Sequence, residues 1–281
     1  MKYIGAHINK NKTLLNTMEI ITKCGGNALQ LFASNPRSAK LANLETFKNE
    51  APEILDYCKK NNFKLVIHSP YTINLAKELK EGSRILDIND CYWVNFLINE
   101  LIIADIIGAV GTVVHVGKYT KLSPEEGLNN MKKYISYILM RVKELNLKSQ
   151  LILETAAGQG TELLVNLTDY LRFYNSFTKD EKKNFKLCID TCHIWSAGYE
   201  ISDAFKLLLE NNSKDIAVIH FNNSETIKGA KVDRHASVFE GKIPLDNLKD
   251  LLSNLKINPI IILEKPTNNI YMEFDWIKKY Y

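Results

Sequence analysis

Short apolar runs recur along the chain at 3–6, 28–32, 65–67, 112–114, 151–153, 187–189, 216–219 and 260–263, each followed by a polar or ionisable residue. Between them lie longer amphipathic stretches that read as helices, such as 44–60, 91–107, 124–145 and 204–211. The near-continuous apolar character of the short runs suits strands buried on both faces of a parallel sheet. Strand and helix alternate about eight times, which predicts an α/β fold. A doubly wound open sheet and a (β/α)8 barrel (TIM barrel) both fit that alternation. The placement of the ionisable residues favours the barrel, with an active site at the C-terminal ends of the strands.

The pattern carries no Pro/Gly/Ser-rich linker, low-complexity tract or internal repeat, so residues 1–281 are expected to form a single barrel domain. Hydrophobic residues make up 46% and charged residues 24%, enough for a substantial core. No apolar run approaches the roughly 20 residues of a membrane helix, and the opening MKYIGAHINK lacks a signal-peptide stretch; the expectation is a soluble intracellular protein that engages no membrane. The five Cys (24, 58, 91, 188 and 192) form neither a CxxC pair nor a disulfide framework, which fits a reducing compartment. Cys188 and Cys192 flank an acidic residue and read as core thiols. The formal charge of +4 is compatible with a polyanionic partner but does not require one.

The chemistry emerges from the residues at the C-terminal side of each run. Run three leads into His68, run four into His115, run five into Glu154, run six into Asp190, run seven into His220 and run eight into Glu264. His193, Asp233 and His235 stand in adjoining loops. A lone His in such a place is ordinarily a hydrogen-bonded structural residue, and a lone carboxylate is often a helix cap. The chain holds only 6 His, however, and five of them fall here beside four acids. The cluster is the signal, not any member. Its ligand types suit divalent transition metals, imidazole favouring zinc with manganese or iron as alternatives. Nine ligands exceed the needs of one ion, and multi-metal sites suit phosphoryl transfer.

The motifs around these positions resemble the endonuclease IV family of abasic-site endonucleases: MKYIGAHI at the start, HSPYTINL from His68, ETAAGQG from Glu154, CIDTCH from Cys188, VDRH ending at His235 and ILE ending at Glu264. They span nearly the whole chain in order. The resemblance implies three zinc ions, with manganese admissible at one position. His68, His115 and Glu154 would hold the first, with Glu154 bridging to the second. Asp190, His220 and Glu264 would complete the second, and His193, Asp233 and His235 would hold the third. It also implies that Arg37 and Tyr71, which alone read as an exposed loop residue and a packing residue, wedge into duplex DNA. Asn35 and Asn74 would position the backbone nearby, and Gln159 would touch the nucleic acid. His7 is expected to be buried and hydrogen-bonded beside the site, while Gly158 and Gly160 would permit a tight turn after strand five.

The implied activity is hydrolysis of the phosphodiester 5′ to an abasic nucleotide, with Glu154 assisting the attack. The products would be a 3′ hydroxyl and a 5′ deoxyribose phosphate, and blocked 3′ ends would also be cleaned. The expected substrate is double-stranded DNA and the expected state a monomer. Four departures stand out. The stretch after His220 reads FNN, ending at Asn223, where the family usually has an Asp, which implies a neutral partner for the metal ligands. Phe239-Glu240-Gly241 replaces a Gly-x-Gly, Lys265 replaces a common Thr, and HVG replaces HPG after strand four. Two other functions compete with this one. A sugar isomerase or epimerase would use Glu154, Asp190, His220 and Glu264 but leave the other five ligands without a purpose. A lesion-binding scaffold would not need nine ligands.

Overall fold

Eight parallel strands close into a barrel in the computed structural model, which describes residues 2–37 and 40–281. They are β1 (Tyr3–His7), β2 (Ala28–Leu31), β3 (Lys64–His68), β4 (Gly111–Val114), β5 (Gln150–Glu154), β6 (Phe185–Asp190), β7 (Ile216–His220) and β8 (Ile260–Leu263). Each pairs with its sequence neighbour, and β1 closes on β8 with Tyr3 opposite Ile260 and Ala6 opposite Leu263. The open-sheet alternative is thereby excluded.

Side chains alternate across each strand. One set (Ala28, Val66, Val113, Ile152, Cys188, Val218, Ile260 and Ile262) fills the barrel interior. The other, including Leu29, Leu65, Leu151, Leu187 and Ile261, packs outward under the helices. Both faces are therefore apolar, which is why the strands read as continuous runs.

The surrounding helices are α1 (Leu14–Lys23), α2 (Leu44–Asn61), α3 (Tyr92–Ile106), α4 (Pro124–Glu144), α5 (Leu167–Asn175), α6 (Thr191–Ser196), α7 (Ile201–Asn212), α8 (Leu245–Asn254) and α9 (Ile270–Tyr280). Several begin on residues that satisfy free amide groups. Ser123 and Glu126 form a reciprocal capping box with Pro124 at the first position of α4, and Thr13 and Asn43 cap α1 and α2. Among the described residues no helix is long and apolar enough to cross a membrane.

Candidate metal centre

The barrel geometry brings the ionisable residues to one end. His7, His68, Glu154, Asp190 and His220 are the last residues of β1, β3, β5, β6 and β7, while His115 and Glu264 directly follow β4 and β8. The remaining three arrive by local devices. Asp190 caps α6, its carboxylate accepting from the His193 amide at 2.7 Å, so His193 enters one turn later. The β7–α8 loop folds back through a two-residue hairpin in which Ser224 lies opposite His235. It is held to α6 by the Ser196 hydroxyl, which donates to the Val232 carbonyl at 2.9 Å. Asp233 and His235 thus face the strand ends.

Nine side chains form three groups, the first two sharing Glu154: His68, His115 and Glu154; Glu154, Asp190, His220 and Glu264; His193, Asp233 and His235. The spacing within them carries the chemistry. His68 Nε2 and His115 Nε2 lie 3.5 and 3.6 Å from Glu154 Oε2. His193 Nε2 and His235 Nε2 lie 3.3 and 3.1 Å from Asp233 Oδ1, and His220 Nδ1 lies 3.2 Å from Glu264 Oε2. Two ligands bound tetrahedrally to zinc at about 2.0–2.1 Å stand about 3.3–3.4 Å apart. These five edges lie within about 0.3 Å of that separation.

Hydrogen bonding aims the rings. The Nδ1–H groups of His68 and His193 donate to the carbonyls of Ser69 and Thr155 at 2.7 and 2.8 Å, which turns each Nε2 towards the cluster. Among the described residues, Nε2 of His115, His193 and His235 and Oε2 of Glu154 are buried with no hydrogen-bond partner. Buried polar atoms are rarely left so. This donor set therefore fits divalent metal ions, the most direct way to satisfy all four.

Charge crowding is severe. Burial opposes charging of His193 and His220, yet Asp190, Asp233 and Glu154 hold the first ring, and Cys188, Glu264 and Glu154 the second, well above the ordinary imidazole range. Burial lowers His115, which Glu154 only partly offsets. Cys188 and Cys192 also lie near the groups, but burial pushes both thiols up to about 12. Both are fully buried, and burial disfavours the thiolate that a metal ligand must be.

Above the cluster opens a cavity of about 380 Å³, bounded on its rim by Tyr71, Glu225, Arg234 and Lys265. Tyr71 is 65% exposed, with its ring 5.5 Å from Phe32 and 5.9 Å from His115. Burial of its hydroxyl, reinforced by Glu264, Asp233 and Glu154, pushes it up to about 12, so it is a neutral donor. Arg37 is exposed on the loop after β2, where its amide bonds the Asn35 side chain at 2.9 Å. Asn74 bonds both the amide and the carbonyl of Lys118, at 2.9 and 2.8 Å, and Gln159 accepts from the Asp233 amide at 2.9 Å. These three amides shape the rim loops in the structure. His7 is hydrogen-bonded beside the site, as expected. Gly158 and Gly160 have φ of 90° and 64°, and the amides of Gly158 and Gln159 both donate to Glu162 Oε2 at 2.9 Å.

The stretch after His220 does supply the expected neutral partner of the metal ligands, but not at Asn223. The Asn223 side chain donates to the carbonyls of Val238 and Ile243 and accepts from the Ile243 amide, pinning the β7–α8 loop away from the ligands. Gly241 passes so close that a Cβ there would lie 2.0 Å from Asn223 Oδ1. The neighbour Asn222 does the bridging instead, donating to Asp190 Oδ2 at 2.7 Å and Glu264 Oε2 at 3.1 Å. A second residue not anticipated from sequence is Gln30 of β2, fully buried and bonded to His7, His220 and Glu264. A polar amide inside the apolar run ALQLF was the available signal. Among the departures, Phe239 packs edge-on against Trp276 at 5.9 Å, Val116 is buried, and Lys265 pairs with Glu225 at the cavity mouth.

Residues 18–280 match a family described as the xylose isomerase-like TIM barrel. A "Probable endonuclease 4" of Halothermothrix orenii is 33% identical over 276 residues, covering 94% of this chain and 93% of the relative. One from Mycoplasmopsis synoviae is 32% identical over 247 residues, covering 85% and 83%. Among solved structures, endonuclease IV of Thermus thermophilus superposes with a TM-score of 0.75 at 23% identity, covering 99% of this chain and 100% of that one. A D-tagatose 3-epimerase-like protein reaches 0.74 at 17% identity, covering 100% and 97%, so the barrel shape alone does not separate the two chemistries.

Proposed function

Because this chain belongs to the endonuclease 4 family of xylose isomerase-like TIM barrels, we propose that it is a metal-dependent DNA repair nuclease that hydrolyses the phosphodiester 5′ to an abasic nucleotide. The observation that carries this reading is the set of three adjoining ligand groups, two of them sharing Glu154, with N···O edges of 2.9–3.8 Å. A sugar epimerase needs only the group of Glu154, Asp190, His220 and Glu264. Two further imidazole-rich groups beside it suit displacement at phosphorus, where several positive centres act at once.

His68, His115 and Glu154 would hold one zinc, Asp190, His220 and Glu264 with Glu154 a second, and His193, Asp233 and His235 a third, with manganese admissible at one position. Zinc held there supplies a nucleophilic water near neutral pH and positive charge for the leaving oxygen. Glu154 spans the first two groups and orients the attack. Tyr71 and Arg37 enter the gap left by the missing base, where unstacking is least costly, and select the lesion. Arg234 and Lys265 on the cavity rim contact the strand's phosphates. Asn35, Asn74 and Gln159 hold the loops that present these side chains. The products carry a 3′ hydroxyl and a 5′ deoxyribose phosphate, and the same site removes blocked 3′ ends. The chain acts as a single-domain monomer inside the cell.

The test is incubation of zinc-loaded protein with two duplexes identical except for one abasic nucleotide, with the ends of the products mapped. Cleavage confined to the 5′ side of the lesion, with a 3′ end that a polymerase extends, is expected. Glu154→Ala should lower the rate by more than about 10²-fold while retaining much of the DNA affinity. Equal cutting of both duplexes, or conversion of a ketose instead, would overturn the reading.

A further inference from the structure

The Gln30 carboxamide sits among three side chains of the metal centre: Glu264 Oε1 at 3.0 Å, His7 Nδ1 at 3.0 Å and His220 Nε2 at 2.9 Å. Its orientation is fixed by chemistry. An ionised carboxylate only accepts hydrogen bonds, so the Gln30 atom facing Glu264 must be Nε2, with its two N–H groups. One of these donates to Glu264 and the other to His7. The opposite atom, Oε1, only accepts, so His220 must carry a proton on the Nε2 that faces it.

We propose that Gln30 is a positioning residue that sets the His220 tautomer and commits Nδ1 of that ring to the metal shared with Glu154, Asp190 and Glu264. His220 Nδ1 lies 2.9 Å from Glu154 Oε1, 3.2 Å from Glu264 Oε2 and 3.8 Å from Asp190 Oδ2. Nε2–H stays with Gln30, so a cation held among the three carboxylates would replace only the Nδ1 proton that otherwise bonds Glu154 Oε1. The device differs from that of His68 and His193, whose Nδ1–H groups are engaged by backbone carbonyls and whose Nε2 atoms face the cluster. Each of those carbonyls holds a single ring, that of Ser69 from the same strand end and that of Thr155 from the neighbouring one. Gln30 reaches across from β2 and ties β7 and β8 together, so it fixes two ligands of one ion at once. The inference rests on the reading that this group holds a metal.

The test compares wild type with Gln30→Met, which keeps the volume and removes every hydrogen bond, and Gln30→Glu, which retains an acceptor for His220. Long-range ¹H–¹⁵N spectra of histidine-labelled protein report which nitrogen of His220 is protonated, and competition with a chelator gives the affinity of each zinc equivalent. In Gln30→Met the Nε2–H form should lose its dominance and one zinc equivalent should weaken by about 10- to 100-fold, the others remaining as in wild type. Gln30→Glu should restore the Nε2–H signal without restoring affinity, because it repels Glu264. An unchanged His220 spectrum with unchanged zinc affinity in Gln30→Met overturns the proposal. A wild type that binds zinc as described but leaves abasic DNA intact would instead overturn the functional reading alone.

Discussion

Glu100 lies on α3, fully buried, with one carboxylate oxygen accepting the Ser34 hydroxyl and the other without a partner among the described residues. Burial pushes this carboxyl up from 4.5 to about 7, and the Ser34 bond only partly offsets it. Below pH 4.5 this carboxyl is protonated in both folded and unfolded forms and costs the fold no stability. Between pH 4.5 and 7 the unfolded chain releases the proton first, so stability falls as pH rises. The shift corresponds to at most about 3 kcal/mol at pH 8. Glu100→Gln should therefore match wild type near pH 4.5 and exceed it by about 1–3 kcal/mol at pH 8 in urea unfolding. The ligand cluster is common to both proteins, so its own titration cancels in the difference. A constant difference across that range would show that Glu100 does not stay neutral. Residue chemistry was also where the sequence spoke most clearly. Five His and four acids, each at or just beyond the end of an apolar run or in an adjoining loop, identify themselves by charge and place. Gln30 shows only as a polar residue inside an apolar run, Asn222 as a neutral amide carries no such mark, and the carbonyls of Ser69 and Thr155 carry no sequence signal whatever.

At the scale of elements, the β7–α8 loop supplies Asp233 and His235, and its shape depends on one amide. Asn223 both donates to two carbonyls and accepts from two amides, those of Ser224 and Ile243. Asn223→Asp keeps the acceptors but sets a buried charge against two carbonyl oxygens. It should cost about 2–4 kcal/mol, seen as a lower melting temperature, and should loosen the zinc equivalent held with His193. A melting temperature equal to wild type would mean that the loop has another anchor. The barrel strands were legible because short continuous apolar runs, buried on both faces, leave few alternatives. Their ends were less so: β3 and β6 extend one residue or more beyond the apolar run on each side, to Lys64 and His68 and to Phe185 and Asp190, since ladder hydrogen bonds continue past the last hydrophobic residue. The short helix α6 and the hairpin at His235 lie below the length at which periodicity speaks, and both owe their form to side-chain bonds from Asp190 and Asn223.

The whole molecule gathers its chemistry at one rim of the barrel, and a polyanion is expected to meet it there. With a net charge of only +4, the attraction must come from local cations such as Arg234 and Lys265. Affinity for abasic duplex should fall at least about tenfold between 50 and 200 mM salt, and removing either cation should reduce the logarithmic salt slope by about 1. Fluorescence anisotropy across a salt series reads both, and a slope unchanged in the two variants would place the phosphates elsewhere.

The most direct test of the central claim counts metal and activity on the same samples. Protein stripped of metal is reloaded with zinc in steps, and at each step bound zinc and nicking of a duplex with one abasic site are measured. The account predicts saturation at three equivalents, with nicking absent from the stripped protein and rising steeply as the last groups fill. Full nicking without metal, or a plateau in both quantities at a single equivalent, would contradict it.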